Sequence, residues 1–186
     1  MKIEDVLKLV TQKVWKGIVW HHSLSKDGVV HDWPGICKYH TSFRIDGNIV
    51  SAVEFQRQQS LGLGRRFEKP WKAVGYHLGI EFVNGEVEVS PGRSWDMAGA
   101  HAGLPNNQRF NADYLGFCAI GNFDLSAPPP PIWLAAVKVT RLVQGRFCFP
   151  KVRIIGHREV YIKAGVPVQK SCPGKLWDMD VFRRSI

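Results

Sequence analysis

Residues 154–175 begin with Ile-Ile-Gly-His-Arg-Glu and end with Lys-Ser-Cys-Pro-Gly-Lys. The apolar run from Val152 to Ile155 predicts a buried strand that delivers His157 to its end. Lys170 and Cys172 are two residues apart, so in an extended segment both side chains point the same way. A cation then stands beside a thiolate. Far upstream, residues 17–23 (Gly-Ile-Val-Trp-His-His-Ser) predict a second short buried strand, ending in His21 and His22. Adjacent strand residues face opposite ways, so one histidine of the pair serves any one site. A histidine from each strand end, with Cys172, makes a His/His/Cys set. Zinc accepts imidazole and thiolate together, and a catalytic site keeps three protein ligands and a water. Two neutral imidazoles and one thiolate leave about +1 on the centre. That charge draws the pKa of a bound water from ~15.7 towards ~7. A structural site would need a fourth ligand, for which His22, His77 and His101 are available.

Such a set needs a sheet whose strands end together. Residues 1–12 place Ile3, Val6, Leu7 and Val10 at helical spacing. Residues 31–41 predict a short helix with Trp33, Ile36, Cys37 and His40 at the same spacing and Pro34 in its first turn. His40 reads as a packing residue or a helix-end cation. Residues 42–69 look like an insertion. They contain a turn at Asp46-Gly47 and a glycine-arginine stretch, Gly62 to Arg66, that predicts a mobile basic loop, either a solvated connection or a flap facing substrate. Residues 74–81 predict a strand with Tyr76, Leu78 and Ile80 on one face and His77, Gly79 and Glu81 on the other. Asn84-Gly85 is a hairpin turn leading to a partner strand at 86–90. The loop 90–111 holds Arg93, Trp95 and His101, and loops of that length in a compact domain are often functional. Residues 115–121 predict a third buried strand containing Cys118, 131–144 a helix with Gly145 just past its end, 152–155 the fourth strand and 176–184 a closing helix. The expected fold class is α/β: a single domain spanning 1–186, with a central mixed β-sheet flanked by helices on both faces and the zinc site in a cleft at the strand ends.

The 186 residues suit one domain with a sizeable core, and 45% hydrophobic with 22% charged content is ordinary for a globular chain. Lys and Arg outnumber Asp and Glu by 25 to 16, giving +9. That surplus favours polyanionic partners such as anionic envelope polymers. The basic residues are scattered and no nucleic-acid motif appears, so no specific nucleic acid is expected. Nothing approaches the ~20 apolar residues of a membrane span, and residues 1–20 lack a signal-peptide core. Synthesis in the cytoplasm without a signal peptide is expected. Cys37, Cys118 and Cys148 sit among apolar residues and read as reduced, packed thiols.

Taken together these segments resemble the zinc-dependent N-acetylmuramoyl-L-alanine amidases, the superfamily of phage amidase lysins and peptidoglycan-recognition proteins. The resemblance runs from about Ile18 to Trp177. IVWHHS is similar to the first ligand segment, and WKAVGYHLGIEFVNGEVEVSPGR to the tyrosine-bearing hairpin. GAHAG and NADYLGFCAIGNFD resemble the substrate loop and buried strand, while IIGHRE and KSCPGK resemble the other two ligand segments. The resemblance implies zinc ligands His21, His157 and Cys172, favouring His21 over His22. It implies catalytic roles for Tyr76 and Lys170, the lysine being the phage-lysin choice where many animal relatives carry threonine. Non-catalytic relatives commonly replace the cysteine, so Cys172 implies activity. His101, Asn111 and Arg93 are expected as substrate contacts or as loop structure. The implied reaction is hydrolysis of the amide between N-acetylmuramic acid and L-alanine in bacterial peptidoglycan. A monomeric phage-type endolysin, reaching the wall after release, fits this pattern. A cytosolic muropeptide-recycling amidase and a non-catalytic wall-binding module are the alternatives. Residues 42–69 and the loop from His157 to Cys172 are longer than usual, which bears on the rim of the cleft.

Overall fold

The computed structural model describes residues 1–25, 32–103 and 109–186. After a 3₁₀ turn at Ile3–Lys8 come β1 (Gly17–His22), α1 (Asp32–His40), β2 (Phe43–Ile45), β3 (Asn48–Val50), α2 (Ala52–Ser60) and β4 (Phe67–Glu68). Then follow β5 (Leu78–Val83), β6 (Glu86–Pro91), α3 (Phe110–Asp113), β7 (Tyr114–Ala119), α4 (Pro130–Phe147), β8 (Ile154–Gly156), α5 (His157–Lys163) and α6 (Met179–Ser185). The main sheet has the order β6-β5-β7-β1-β8. β6 pairs antiparallel with β5, and every other pairing is parallel. The sheet is therefore mixed, as expected, and β1, β7 and β8 all end on one edge.

β1 and β7 are buried along their whole length, which is why they read as unbroken apolar runs. Alternate residues divide between two cores. Ile18, Trp20, Leu78, Ile80, Leu115 and Phe117 pack with Ala136, Val139 and Phe182 of α4 and α6. Val19 and Ile155 pack on the opposite face with Val160, Phe110 and Tyr114. Glycine makes room on this second face. A Cβ at Gly79 would come within 2.3 Å of the Trp33 ring, and one at Gly116 within 2.2 Å of the His101 ring.

Several expectations change. Residues 1–12 form only the 3₁₀ turn, because Val10 is exposed and only Val6 is buried in the segment. α1 matches the predicted helix, although His31 lies outside the described residues. α4 runs through Gly145 to Phe147, because Cys148 takes the left-handed conformation (φ 53°) and its N–H bonds Gln144 O at 2.7 Å. That position leaves Cys148 exposed rather than packed, whereas Cys118 is buried and Cys37 half-buried. No cysteine is in a disulfide. We expect thiol titration of the unfolded, metal-free protein without reductant to find four free thiols, and the folded protein to react first at Cys148. Two free thiols would contradict this.

Residues 42–69 form a separate three-stranded sheet, β3-β2-β4, closed by α2. Phe55 of α2 is 2% exposed and packs against Phe43 and Phe67, with ring centroids 4.8 and 5.3 Å away. The expected mobile basic loop is tied down. Asp46 accepts from Arg65 Nε at 2.6 Å and from the Arg66 amide at 2.9 Å, and Arg66 also pairs with Glu68 at 3.0 Å.

Candidate metal centre and active site

At the shared strand edge a cleft of about 580 Å³ opens, lined by His21, His157, Cys172, Tyr76 and Lys170. α1 and the small sheet contribute Tyr39, His40, Arg44, Arg66 and Glu68 to its lining, so the 42–69 segment does face the cleft. Ligand-type atoms of His21, His157 and Cys172 all lie within 4.8 Å of one another, and all three residues are buried. His21 is the last residue but one of β1 and His157 opens α5 directly after β8, which brings them together from positions far apart in sequence. Cys172 Sγ lies 3.6 Å from His21 Nδ1.

Of the histidine pair, only His21 enters this cluster. His22 turns its ring away, accepting the Phe123 amide on Nδ1 at 3.2 Å, while its own amide donates to Cys172 Sγ at 3.4 Å. Of the other candidates for a fourth donor, His77 and His101 are engaged elsewhere. His77 accepts the Gly116 amide on Nδ1 and lies 3.0 Å from Met97 O through Nε2. Among the described residues the cluster thus consists of three donors.

Burial first, then neighbouring positive charge, holds both cluster imidazoles neutral. His21 sits well below the ordinary histidine range, and His157 is lowered to about 4. Burial pushes the Cys172 thiol up to about 12, against the opposing pull of the His22 amide and Lys170. A buried thiolate needs a cation nearby. Two lone-pair imidazoles around such a thiol form a donor set that suits zinc, with a thiolate forming as the metal displaces the proton.

Tyr76 does not share a face with Leu78 and Ile80, contrary to the sequence expectation. β5 starts only at Leu78, and the bend before it is set by Gly75, where a Cβ would meet Ala100 O at 2.6 Å. Tyr76 consequently packs beside Trp33 and Cys118, with its ring 5.0 Å from that of His21. Burial, reinforced by the Cys118 and Cys172 thiols, keeps its hydroxyl protonated. Lys170 is exposed at the mouth. His40 is no helix-end cation. Burial lowers it to about 4, and it accepts the Gly75 amide at 3.1 Å while stacking on Trp71.

The N-acetylmuramoyl-L-alanine amidase family model matches residues 11–175. The chain belongs to this family. It is 26% identical over 108 residues to a peptidoglycan-recognition protein of Drosophila simulans, a match covering 58% of this chain and 51% of that one. The chain therefore spans about half the length of the curated relatives it matches. The fold is similar to that of N-acetylmuramoyl-L-alanine amidase LysC from Clostridium intestinale, at 19% identity and TM-score 0.56 over 92% of this chain and 84% of that one. It is likewise similar to AmpD, at 18% identity and TM-score 0.62 over 94% and 86%. A mutant of Drosophila PGRP-LB in complex with tracheal cytotoxin gives 20% identity and TM-score 0.56 over 91% and 81%.

Around the His21–His157–Cys172 cluster the remaining expected residues have structural partners. Arg93, expected as a substrate contact or as loop structure, lies outside the cleft lining. Its guanidinium donates to Val74 O, Ala98 O and Ala73 O at 2.8–3.0 Å and braces the segment carrying Tyr76. Asn111 lines the cleft, but its Oδ1 accepts the amides of His101 and Ala102 at 2.9 and 2.8 Å. His101 also lines the cleft, with both ring nitrogens engaged within the protein, one of them by His21.

Sequence reasoning missed the groups that hold the donors. Arg158 donates to Ser171 O at 3.1 Å and Trp177 O at 2.8 Å, and its amide bonds Cys172 O at 2.7 Å. Asp124 accepts Ser171 Oγ at 2.6 Å and the Lys175 amide at 2.8 Å. Glu159 accepts the Gly156 amide at 2.8 Å and pairs with Arg183 through two bonds of 2.9 Å, fixing the start of α5. The one sequence sign was a basic and an acidic residue directly after His157.

Proposed function

We propose that the protein is a zinc-dependent N-acetylmuramoyl-L-alanine amidase that cleaves intact bacterial peptidoglycan as a phage-type endolysin. The observation that carries this reading is the buried His21–His157–Cys172 cluster opening onto a cleft that also presents Tyr76 and Lys170. His21, His157 and Cys172 would hold zinc, which supplies Lewis-acid activation of water and of the scissile carbonyl. Tyr76, kept protonated by burial, donates a hydrogen bond that orients the attacking water or passes a proton to the leaving L-alanine amine. Lys170, at the mouth, stabilises the negative charge that develops on the carbonyl oxygen. The surplus of +9 favours attachment to an anionic wall, which the enzyme reaches after release from the cytoplasm.

The test is muropeptide analysis of purified sacculi and of soluble muropeptides, each with and without chelator. Free L-alanine amino termini from intact sacculi, lost on chelation and restored by zinc, are expected. Cleavage of soluble muropeptides alone would make it a recycling amidase. Binding without cleavage by zinc-replete protein would make it a recognition module.

A further inference from the structure

Zinc binding through His21 requires a bare lone pair on the ring nitrogen that faces the cluster. A neutral imidazole carries one hydrogen, and the nitrogen that holds it must be specified by the surroundings. His21 Nε2 lies 3.0 Å from His101 Nδ1, and His101 Nε2 lies 3.3 Å from the backbone oxygen of Tyr114. A carbonyl oxygen only accepts, so His101 Nε2 carries its hydrogen. His101 Nδ1 is then a lone pair, and His21 Nε2 must donate to it. His21 Nδ1, the atom 3.6 Å from Cys172 Sγ, is left bare. One main-chain carbonyl thereby sets the hydrogen on two rings in series.

The ring of His101 has no freedom to do otherwise. It lies in a slot that glycine alone permits: a Cβ at Gly116 would stand 2.2 Å, and one at Gly99 2.3 Å, from its Cδ2. The loop that bears it is pinned by Asn111, through Oδ1 to the amides of His101 and Ala102 and through its backbone oxygen to the Gly99 amide at 2.7 Å. The acceptor chemistry also matters. Metal-bound histidines commonly donate to a carboxylate or a carbonyl. A neutral imidazole holds the tautomer without adding negative charge to a centre that one thiolate already reduces to about +1.

Resting on the zinc reading above, we infer that His101 is a positioning residue that fixes His21 in the Nε2–H tautomer, with Nδ1 free for the metal. The inference assigns His101 to the metal site rather than to substrate. Its first test is a long-range ¹H–¹⁵N correlation spectrum of the histidine rings in wild-type protein, metal-free and zinc-loaded. His21 and His101 are both expected to be protonated on Nε2 in each form. His21 protonated on Nδ1 in the metal-free protein would overturn the relay.

The second test compares zinc dissociation constants, by competition with a chromophoric chelator, for wild type, His101→Phe and His101→Asn. Losing an outer partner of this kind typically weakens binding ~10–100-fold, which is expected for His101→Phe. His101→Asn offers an oxygen near the former Nδ1 and is expected to recover most of that loss. Circular dichroism of the metal-free variants separates misfolding from weakened binding. If His101→Phe does not fold, the wild-type spectrum and His101→Asn decide. Wild-type zinc affinity in a folded His101→Phe would sink the relay while leaving the zinc site standing. Absence of zinc binding by wild type would instead sink the underlying reading.

Discussion

Replacing Cys172 with serine is expected to remove stoichiometric zinc and abolish amide hydrolysis while leaving the fold intact. The thiol is buried beside two imidazoles that burial keeps neutral, so it is the cluster's one source of negative charge. A serine hydroxyl is a far poorer anion than a thiol, and its shorter side chain retreats from the cluster. The expected loss of affinity exceeds the ~10–100-fold typical of removing an outer partner. The fold should survive because the segment bearing Cys172 is anchored by Arg158 and Asp124, neither of which uses the sulfur. The large core between α4 and the sheet lies on the opposite face. Metal analysis, far-ultraviolet circular dichroism and turnover on purified peptidoglycan check the prediction together. A folded Cys172→Ser protein that keeps one tightly bound zinc would remove Cys172 from the metal site.

Tyr76→Phe and Lys170→Ala are each expected to retain zinc yet lose at least ~10²-fold in turnover, the scale seen when one oxyanion donor is removed. The two losses have different origins. Phenylalanine keeps the packing beside Trp33 and the ring contact with His21 but deletes a hydroxyl that burial holds protonated. Alanine at 170 removes a charge at the cleft mouth, where the side chain is exposed and contributes little to stability. Turnover and zinc content measured on the same preparations separate chemistry from metal loss. Near-normal turnover in both variants would leave the metal alone carrying the reaction. Zinc loss in either would move that residue into the support of the metal site.

How much of this was legible beforehand follows from the range of the interactions involved. Alternation and apolar runs are local, and so are turn preferences. The buried strand that carries His21 could therefore be read directly, and so could Ile154 and Ile155 before His157, whereas Val152, expected in that strand, is exposed in a 3₁₀ turn at Lys151–Arg153. The Asn84-Gly85 hairpin, whose residues adopt φ of 51° and 85°, could be read as well. α1 and the body of α4 were legible for the same reason. The two- and three-residue strands of the 42–69 segment are too short to show a period, and they are held by Phe55 meeting Phe43 and Phe67. The amide of Cys148 ended α4 through a left-handed cap that no local preference of cysteine announces.

The residue types and their segment order determined which groups were available for chemistry: two strand-end histidines, a loop cysteine, a lysine two residues before it and a tyrosine before the hairpin. Tertiary structure decided how each is used. The pairing of His101 with His21 joins residues 80 apart in sequence, and that of His21 with Cys172 joins residues 151 apart. Contacts of that separation leave no trace in a residue's neighbours, so His101 read equally well as a substrate contact. The face of Tyr76 was misread because the close approach of Gly75 to Ala100 bends the chain before β5 begins. Strand alternation predicts direction only while the strand lasts, and this one starts two residues too late to place the tyrosine.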